Sequence, residues 1–411
     1  MIALYNNVKL FAQALGIQKP WKLDEVRFDP KEGQLDLYIS HIKGSSLPCP
    51  DCHQECSIHD TKERTWRHLN FFQHRAYIHC KVPRVLCGKC GSIKQAEVPW
   101  ARPGSGFTML FEAFLMELAA YMPVKPISEL VGEHDTRIWR VLHHYVEEAR
   151  SQEDYSYVDQ VGIDETSSKR GHNYVSVFVD LEKSKVIYAT EGKDAPTVKR
   201  FTEDFAEHNG RPEKIKDITC DMSPAYIKGV TEQMPGAQIT FDKFHVMKVV
   251  NDAVDQVRRM EQKENSILKS SRYLWLKNPD NLTDQQKEAL KSLTRMNLKT
   301  SRAYNIKLSF QEFWEIKSQE IAEQYLKRWY FWATHSRLEP IKSSAYTIKG
   351  HWDGIIHYIS TQINNGVLEA INGLIQSAKR KARGYRNTKN LITIIYLSCG
   401  KLKFDLPMAF G

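Results

Sequence analysis

Apolar residues recur along this chain in two rhythms, and the switches between them divide it into regions. Residues 63–69 and 77–86 interleave aromatic and aliphatic side chains with basic ones, the alternation of half-buried strands. Residues 107–122 carry Leu110, Phe114, Leu118 and Tyr121 at helical spacing, until Pro123 and Pro126 interrupt the pattern. A short helix is predicted over 127–131, a turn at Gly132, and a longer helix over 135–150 that opens on Asp135 as its cap. Helix, glycine turn and second helix make the helix-turn-helix pattern, with Arg137, Arg140, His143 and His144 as candidate DNA-facing residues. The preceding stretch, 100–106, reads as a linker.

From residue 158 the rhythm changes again. Residues 158–166 read as a strand with Asp164 at its end. Residues 174–179 and 186–190 read as two more, joined by a hairpin turn over 180–184. A helix follows over 195–208, then a strand over 215–220 ending at Asp221. A helix over 224–234, a strand over 238–241 before Asp242, and a helix from Phe244 complete the series. That order is RNase H-like, so the predicted fold class is α/β: a mixed five-stranded sheet with helices. The expected domains are an N-terminal region over 1–100 with a cysteine-rich part at about 45–95, and the helix-turn-helix over 107–152. The core is then expected in two pieces, 158–250 and 351–400, around a large helical insertion over 251–350. In the insertion, Phe310, Phe313, Trp314, Ile321, Tyr325, Trp329 and Trp332 fall roughly on one helical face and are expected to be core.

Composition narrows the class. With 411 residues there is room for two or three domains. A 42% hydrophobic and 26% charged chain fits a soluble globular protein and excludes a largely disordered one. No apolar run approaches the about 18 residues of a membrane span. Residues 1–19 mix Asn, Lys and Gln among apolar positions, unlike a secretory leader, so a cytoplasmic protein is expected. The net charge of +9, from 58 Lys and Arg against 49 Asp and Glu, is ordinary for this length. Its placement is more telling. Lys379, Arg380, Lys381, Arg383, Arg386 and Lys389 form a run without an acid, the footprint of a phosphate-binding surface.

Six of the eight cysteines lie between Cys49 and Cys90. Cys49–Cys52 and Cys87–Cys90 are two C-x-x-C knuckles, which together supply four thiolates for a tetrahedral structural zinc ion. A reducing cytosol disfavours disulfides instead. His53, Cys56, His59 and Cys80 are substitute ligands, with Cys56 and Cys80 better read as buried thiols. Lys62, Arg64, Arg67, Arg75, Lys81 and Arg84 suit a ribbon lying on DNA, and would suit any exposed sheet face.

Asp164 and Asp221 would converge at neighbouring strand ends, where shared carboxylates can hold divalent magnesium. A third acid is expected from a late helix beginning near Asn364, with Glu369 in its first turn. Glu165, adjacent to Asp164, should face the other way.

These motifs, in this order, resemble bacterial insertion-sequence transposases of the acidic-triad (DDE) class, and most of all the insertion-sequence L-three family. The resemblance covers nearly the whole chain. It rests on the paired knuckles, the helix-turn-helix, Gly162-Ile163-Asp164-Glu165 and Cys220-Asp221-Met222-Ser223-Pro224-Ala225-Tyr226. Asp242-Lys243-Phe244-His245-Val246, Asn365-Gly366-Val367-Leu368-Glu369 and Gly384-Tyr385-Arg386-Asn387 extend it. The resemblance implies Asp164, Asp221 and Glu369 as a catalytic triad on two magnesium (or manganese) ions. It implies cleavage at terminal inverted repeats, transfer of the freed 3′-hydroxyl into target DNA, a homodimer on DNA, and a nucleoid-associated location. Related enzymes often place a Lys or Arg seven residues after the Glu; here Gln376 stands there, with Lys379 and Arg380 a turn later. Asp242 and His245 match a family motif without a derivable role. The rival readings are a DNA-binding regulator with a dead core, and a nuclease or resolvase that cuts without joining.

Overall fold

The computed structural model describes residues 2–169, 173–361, 363 and 366–407, which form two compact units. Asn364 and Asn365, where the late helix was expected to begin, lie outside the described residues.

The first unit spans Met1–Ala149 together with Lys403–Gly411. It opens with helix α1 (Ile2–Ala14) and strands β1 (Trp21–Asp29) and β2 (Gln34–His41), for which the sequence reading offered no elements. The short strands β3 (Leu47–Pro48) and β4 (Glu55–Cys56) pair with each other. Strands β5 (Ile58–Phe71) and β6 (His74–Cys87) form a long hairpin, and β7 (Ser92–Gln95) pairs with the end of β6. The sheet order is β1-β2-β6-β5, with β2 and β6 parallel. One face of it buries Trp21, Leu35, Leu37, Ile39, Trp66 and Ile78.

Helices α2 (Met109–Tyr121), α3 (Val124–Val131) and α4 (Asp135–Ser151) follow. Helix α3 starts three residues earlier than predicted. Pro126 sits in its first turn, where no intrahelical partner awaits an N–H, so it interrupts nothing. Gly132 closes α3 in the left-handed region (φ 68°), and Ser128 Oγ donates to the Glu133 carbonyl across the turn (2.6 Å). Asp135 is the first helical residue of α4 rather than its cap. The Thr136 N–H is met instead by His134 Nδ1 (3.3 Å).

Glu112 on α2 is fully buried, yet its carboxylate has three partners. Arg102 Nε lies 2.8 Å away, Ser105 Oγ donates at 2.7 Å and the Tyr145 hydroxyl at 3.1 Å. One carboxylate thus ties the linker to α2 and α4. Glu112→Ala leaves a half-buried cation and two hydroxyls unmatched, so it is expected to destabilise the full chain by about 1–3 kcal/mol, measured as a lowered denaturant midpoint.

The second unit, Arg150–Leu402, holds the predicted five-stranded sheet. Its strands are β8 (Gln160–Ser167), β9 (Tyr174–Asp180), β10 (Lys185–Glu191), β11 (Asp217–Cys220) and β12 (Gln238–Phe241), in the order β10-β9-β8-β11-β12. The first three are antiparallel, whereas β8, β11 and β12 run parallel. This is the RNase H-like topology. Helix α5 (Ala195–Glu207) precedes β11, α6 (Pro224–Gln233) joins β11 to β12, and α7 (Lys243–Gln262) leaves β12.

Helices α8 (Arg272–Leu276), α9 (Asp284–Thr294), α10 (Lys299–Phe313), α11 (Gln319–Thr334) and α12 (Glu339–Gly350) form the insertion. The aromatic stripe is split between α10 and α11. Phe310, Phe313, Trp314 and Trp329 are core as expected, but Ile321 and Trp332 are exposed because the chain breaks between the two helices and resets the face. Helices α13 (Trp352–Thr361), α14 (Gly366–Lys381) and α15 (Thr388–Cys399) complete the unit. Among the described residues no helix is long and apolar enough to cross a membrane.

Candidate metal centre and active site

The two knuckles meet. Sγ of Cys49 lies 4.0 Å from that of Cys90, and Sγ of Cys52 lies 3.5 Å from that of Cys87. All four sulfurs fall within 4.8 Å of one another. Four thiolates about 2.3 Å from one zinc ion would stand about 3.8 Å apart, so the observed spacing fits the ion. Each knuckle turns back on the residue after its second cysteine, which adopts a left-handed φ: 58° at His53 and 65° at Gly91. Their N–H groups donate to the carbonyls of Cys49 and Cys87, both at 2.9 Å. The Cys90 N–H donates to Cys87 Sγ (3.3 Å), which holds that thiol below its ordinary value and favours the ligating thiolate.

Cys56, Cys80, His53 and His59 are not part of this group. Cys56 donates to the Gln54 carbonyl, Cys80 is buried with its thiol pushed up to about 12, and His59 pairs with Asp60.

The basic residues of the ribbon do not make one exposed face. Arg67 is buried beneath α2, with its guanidinium 4.9 Å from the Phe111 ring, 3.7 Å from Glu133, and donating to the Ala76 carbonyl. Its desolvation is offset by π faces and carbonyls, a use that its sequence neighbourhood does not announce. Arg84 pairs with Asp60 and Lys81 with Glu63.

On the helix-turn-helix, Arg137 is likewise committed. It pairs with Glu133, donates to the Gly106 carbonyl and lies 4.1 Å from the Phe107 ring. His143 stacks on Trp139, and His144 lies 3.3 Å from Glu148. Arg140 is exposed.

In the second unit the strand register sets the acids side by side. Strand β11 pairs with β8 as Asp217↔Gln160, Ile218↔Val161 and Thr219↔Gly162, and with β12 as far as Cys220↔Phe241. Continuing both ladders sets Asp164, Asp221 and Asp242 side by side at one level. Asp164 therefore lies within β8 rather than at its end, because β8 runs on beyond the part that pairs with β11. It is level with the end of the shorter strand. Carboxyl ends of parallel strands are where open α/β sheets bind ligands.

Asp164 is half-buried. Burial pushes its carboxyl up to about 6, with Asp242 and Asp221 adding to the rise and the Glu165 N–H and His245 opposing it. Glu165 faces the other side, its Oε1 3.4 Å from Lys193 Nζ. Asp242 caps α7 by accepting the Phe244 N–H (2.8 Å), and its other oxygen lies 3.3 Å from His245 Nδ1. That carboxylate raises the pKa of His245, helped by Asp221 and Asp164. Asp242 thus combines a helix cap with a place in the acidic row.

Glu369 projects from the first turn of α14 and shares a cleft of about 300 Å³ with Asp242, Lys243, Phe244 and Tyr358. Helix α14 lies along β8. A Cβ at Gly162 would come within 2.8 Å of Leu368, so the missing side chain permits the approach. Asn372 donates to Asp164 Oδ2, Gln376 to Thr166 Oγ1 (2.8 Å), and Lys379 to the Ser167 carbonyl. Gln376 and Lys379 are therefore bound to the strand rather than free as a phosphate clamp. Arg380, Lys381, Arg383 and Arg386 are exposed. Among the described residues the four cysteines are the one close group of potential metal ligands, and the carboxylates do not form another.

An RNase H-like sheet with acids level across its parallel strands, preceded by a zinc ribbon and a helix-turn-helix, defines a DNA-recombining enzyme of the DDE class. Comparison with known proteins specifies it. Residues 161–395, more than half of the chain, match the DDE-type transposase family ISL3. Residues 96–146 match the helix-turn-helix domain of transposase family ISL3, and residues 46–90 the zinc-finger of transposase IS204/IS1001/IS1096/IS1165. The transposase for insertion sequence element IS1557 of Mycobacterium tuberculosis is 26% identical over 443 aligned positions, covering 98% of each chain. The transposase for insertion sequence element IS1001 of Bordetella parapertussis is 26% identical over 392, covering 91% of this chain and 94% of that one. The chain belongs to the ISL3 family of bacterial insertion-sequence transposases.

Proposed function

We propose that this transposase binds the terminal inverted repeats of its own insertion sequence, cuts a phosphodiester there and joins the freed 3′-hydroxyl to target DNA. Asp164, Asp221 and Glu369 are its catalytic acids, and two magnesium or manganese ions are their partners. The observation that carries this reading is the level placement of Asp164 and Asp221, with α14 docked on Asp164 and Glu369 one turn earlier.

The donor set fits such ions. It consists of carboxylate oxygens, which hard divalent cations prefer. Burial, with a smaller contribution from Asp242 and Asp221, raises the Asp164 carboxyl, and a bound cation would oppose that rise. When bound, the ions supply a water activated at neutral pH and charge compensation at the scissile phosphate.

The chain's own residues do the rest. Asp164 is held by its neighbour's N–H and by Asn372. Arg380, Lys381, Arg383 and Arg386, at and beyond the end of α14, offer cations to the DNA backbone. Arg140, exposed on α4, offers a cation to DNA from the second helix of the helix-turn-helix. Each event joins two element ends, so a homodimer on DNA is the proposed assembly.

The test is incubation of full-length protein with magnesium, a labelled DNA carrying the element's end, and a target plasmid. The expected products are an end with a 3′-hydroxyl and then a joined molecule. Binding without cleavage in magnesium and manganese would instead establish a regulator, and cleavage without joining a nuclease.

A further inference from the structure

Helix α14 and strand β8 meet through matched repeats. Four helical residues advance about 6 Å and two strand residues about 6.6 Å, so contacts spaced by four on one can meet contacts spaced by two on the other. Leu368, Asn372 and Gln376 on α14 face Gly162, Asp164 and Thr166 on β8 in this way. The middle rung is the one that touches an acid. Asn372 Nδ2 donates to Asp164 Oδ2, while Asp164 Oδ1 accepts the Glu165 N–H at 2.6 Å. Each carboxylate oxygen so receives one hydrogen bond and keeps a second lone pair. Together the two bonds fix both side-chain torsions of Asp164. Asn372 is half-buried and lies three residues after Glu369, on the same helical face.

We propose that Asn372 is a positioning residue for Asp164, fixing the orientation of that carboxylate and its spacing from Glu369 for divalent-cation binding. This rests on the reading of Asp164 and Glu369 as metal-binding acids. An aspartate has free rotation about two bonds. Without the amide its outer oxygen is unrestrained, and the ion must impose the order that Asn372 otherwise supplies in advance. Asn372 itself contacts no ion in this scheme. The amide suits the role because it donates without adding another negative charge beside Asp164, Asp221 and Asp242.

The experiment uses manganese alone as probe, with free ion measured by electron paramagnetic resonance on full-length protein. Wild type, Asn372→Ala, Asn372→Leu, Gln376→Ala and Glu369→Ala are compared, and melting temperatures without metal report folding. Asn372→Ala and Asn372→Leu are expected to weaken manganese binding by about 10- to 100-fold, the cost of losing an outer-shell partner. DNA cleavage by both should recover as magnesium is raised. Gln376→Ala removes the neighbouring rung and should keep wild-type affinity. Wild-type affinity in Asn372→Leu, which keeps the branching at Cγ but not the donor, would overturn the proposal. So would an equal loss in Gln376→Ala, which would assign the effect to helix docking. If wild type binds no manganese, or Glu369→Ala binds it as well as wild type, the metal site itself fails and this inference falls with it.

Discussion

Asp221→Ala and Glu369→Ala should each lower magnesium-dependent cleavage of end DNA by roughly a thousandfold or more, while binding of the same DNA stays within about twofold of wild type. The two acids come from different elements, the end of β11 and the first turn of α14, so neither variant disturbs the element carrying the other. Neither side chain is core: Glu369 is exposed and Asp221 half-buried, which keeps the expected folding cost small. Strand-specific end labelling reads cleavage, and a gel shift without added magnesium or manganese reads binding. Full cleavage by Asp221→Ala, with loss in Asp242→Ala, would transfer the role to the neighbouring acid of the same row. That outcome is worth testing because Asp242 stands level with Asp221 and shares the cleft with Glu369.

Purified protein should carry one zinc ion per chain, and replacing Cys49 and Cys87 together with Ser should remove it and unfold the ribbon. The ribbon's own core is only Leu47, Cys49, Cys56, Val85, Cys87 and Ala96, half of it cysteine. So few apolar side chains cannot offset the chain entropy of the segment. Zinc sites of this kind contribute on the order of 10 kcal/mol, as much as a whole domain's net stability. Elemental analysis reads the metal, and limited proteolysis over 46–90 reads the fold. Protein that is zinc-free as purified, or a double variant that retains zinc, would remove the structural-zinc assignment. Loss of end-DNA binding in the double variant would add that the ribbon participates in recognition.

The sheet and the acids were legible because each leaves a local mark. Alternation over 174–179 marks β9, an apolar β-branched run over 186–190 marks β10, and an acid directly after a short apolar run marks Asp221 and Asp242. Paired knuckles mark the zinc site. Other features leave none. Asn372 reads as an ordinary polar helix residue, and only the docking of α14 on β8 brings it to Asp164. Asp242 was visible, but an acid before a helix is equally a cap, and here it is that too. Arg67 reads as a DNA-facing cation and is instead buried, since the rings that cover it are distant in sequence. The alternation of Leu35, Leu37 and Ile39 was a usable signal for β2, and their burial confirms its pattern. Pro126 misled because proline breaks a helix only past its first turn.

The docking of α14 on β8 also frees the enzyme's length. Glu369 is located by where its helix meets the strand, not by the route the chain takes to get there. About a hundred residues of helix lie between the two parts of the core, yet none of them sets the rungs at Gly162, Asp164 and Thr166. Lengthening a connection costs little, about 0.6 kcal/mol for each doubling of a flexible loop. The inserted helices share one hydrophobic core with the sheet, so their remodelling is limited by that packing and not by the reach needed to place Glu369.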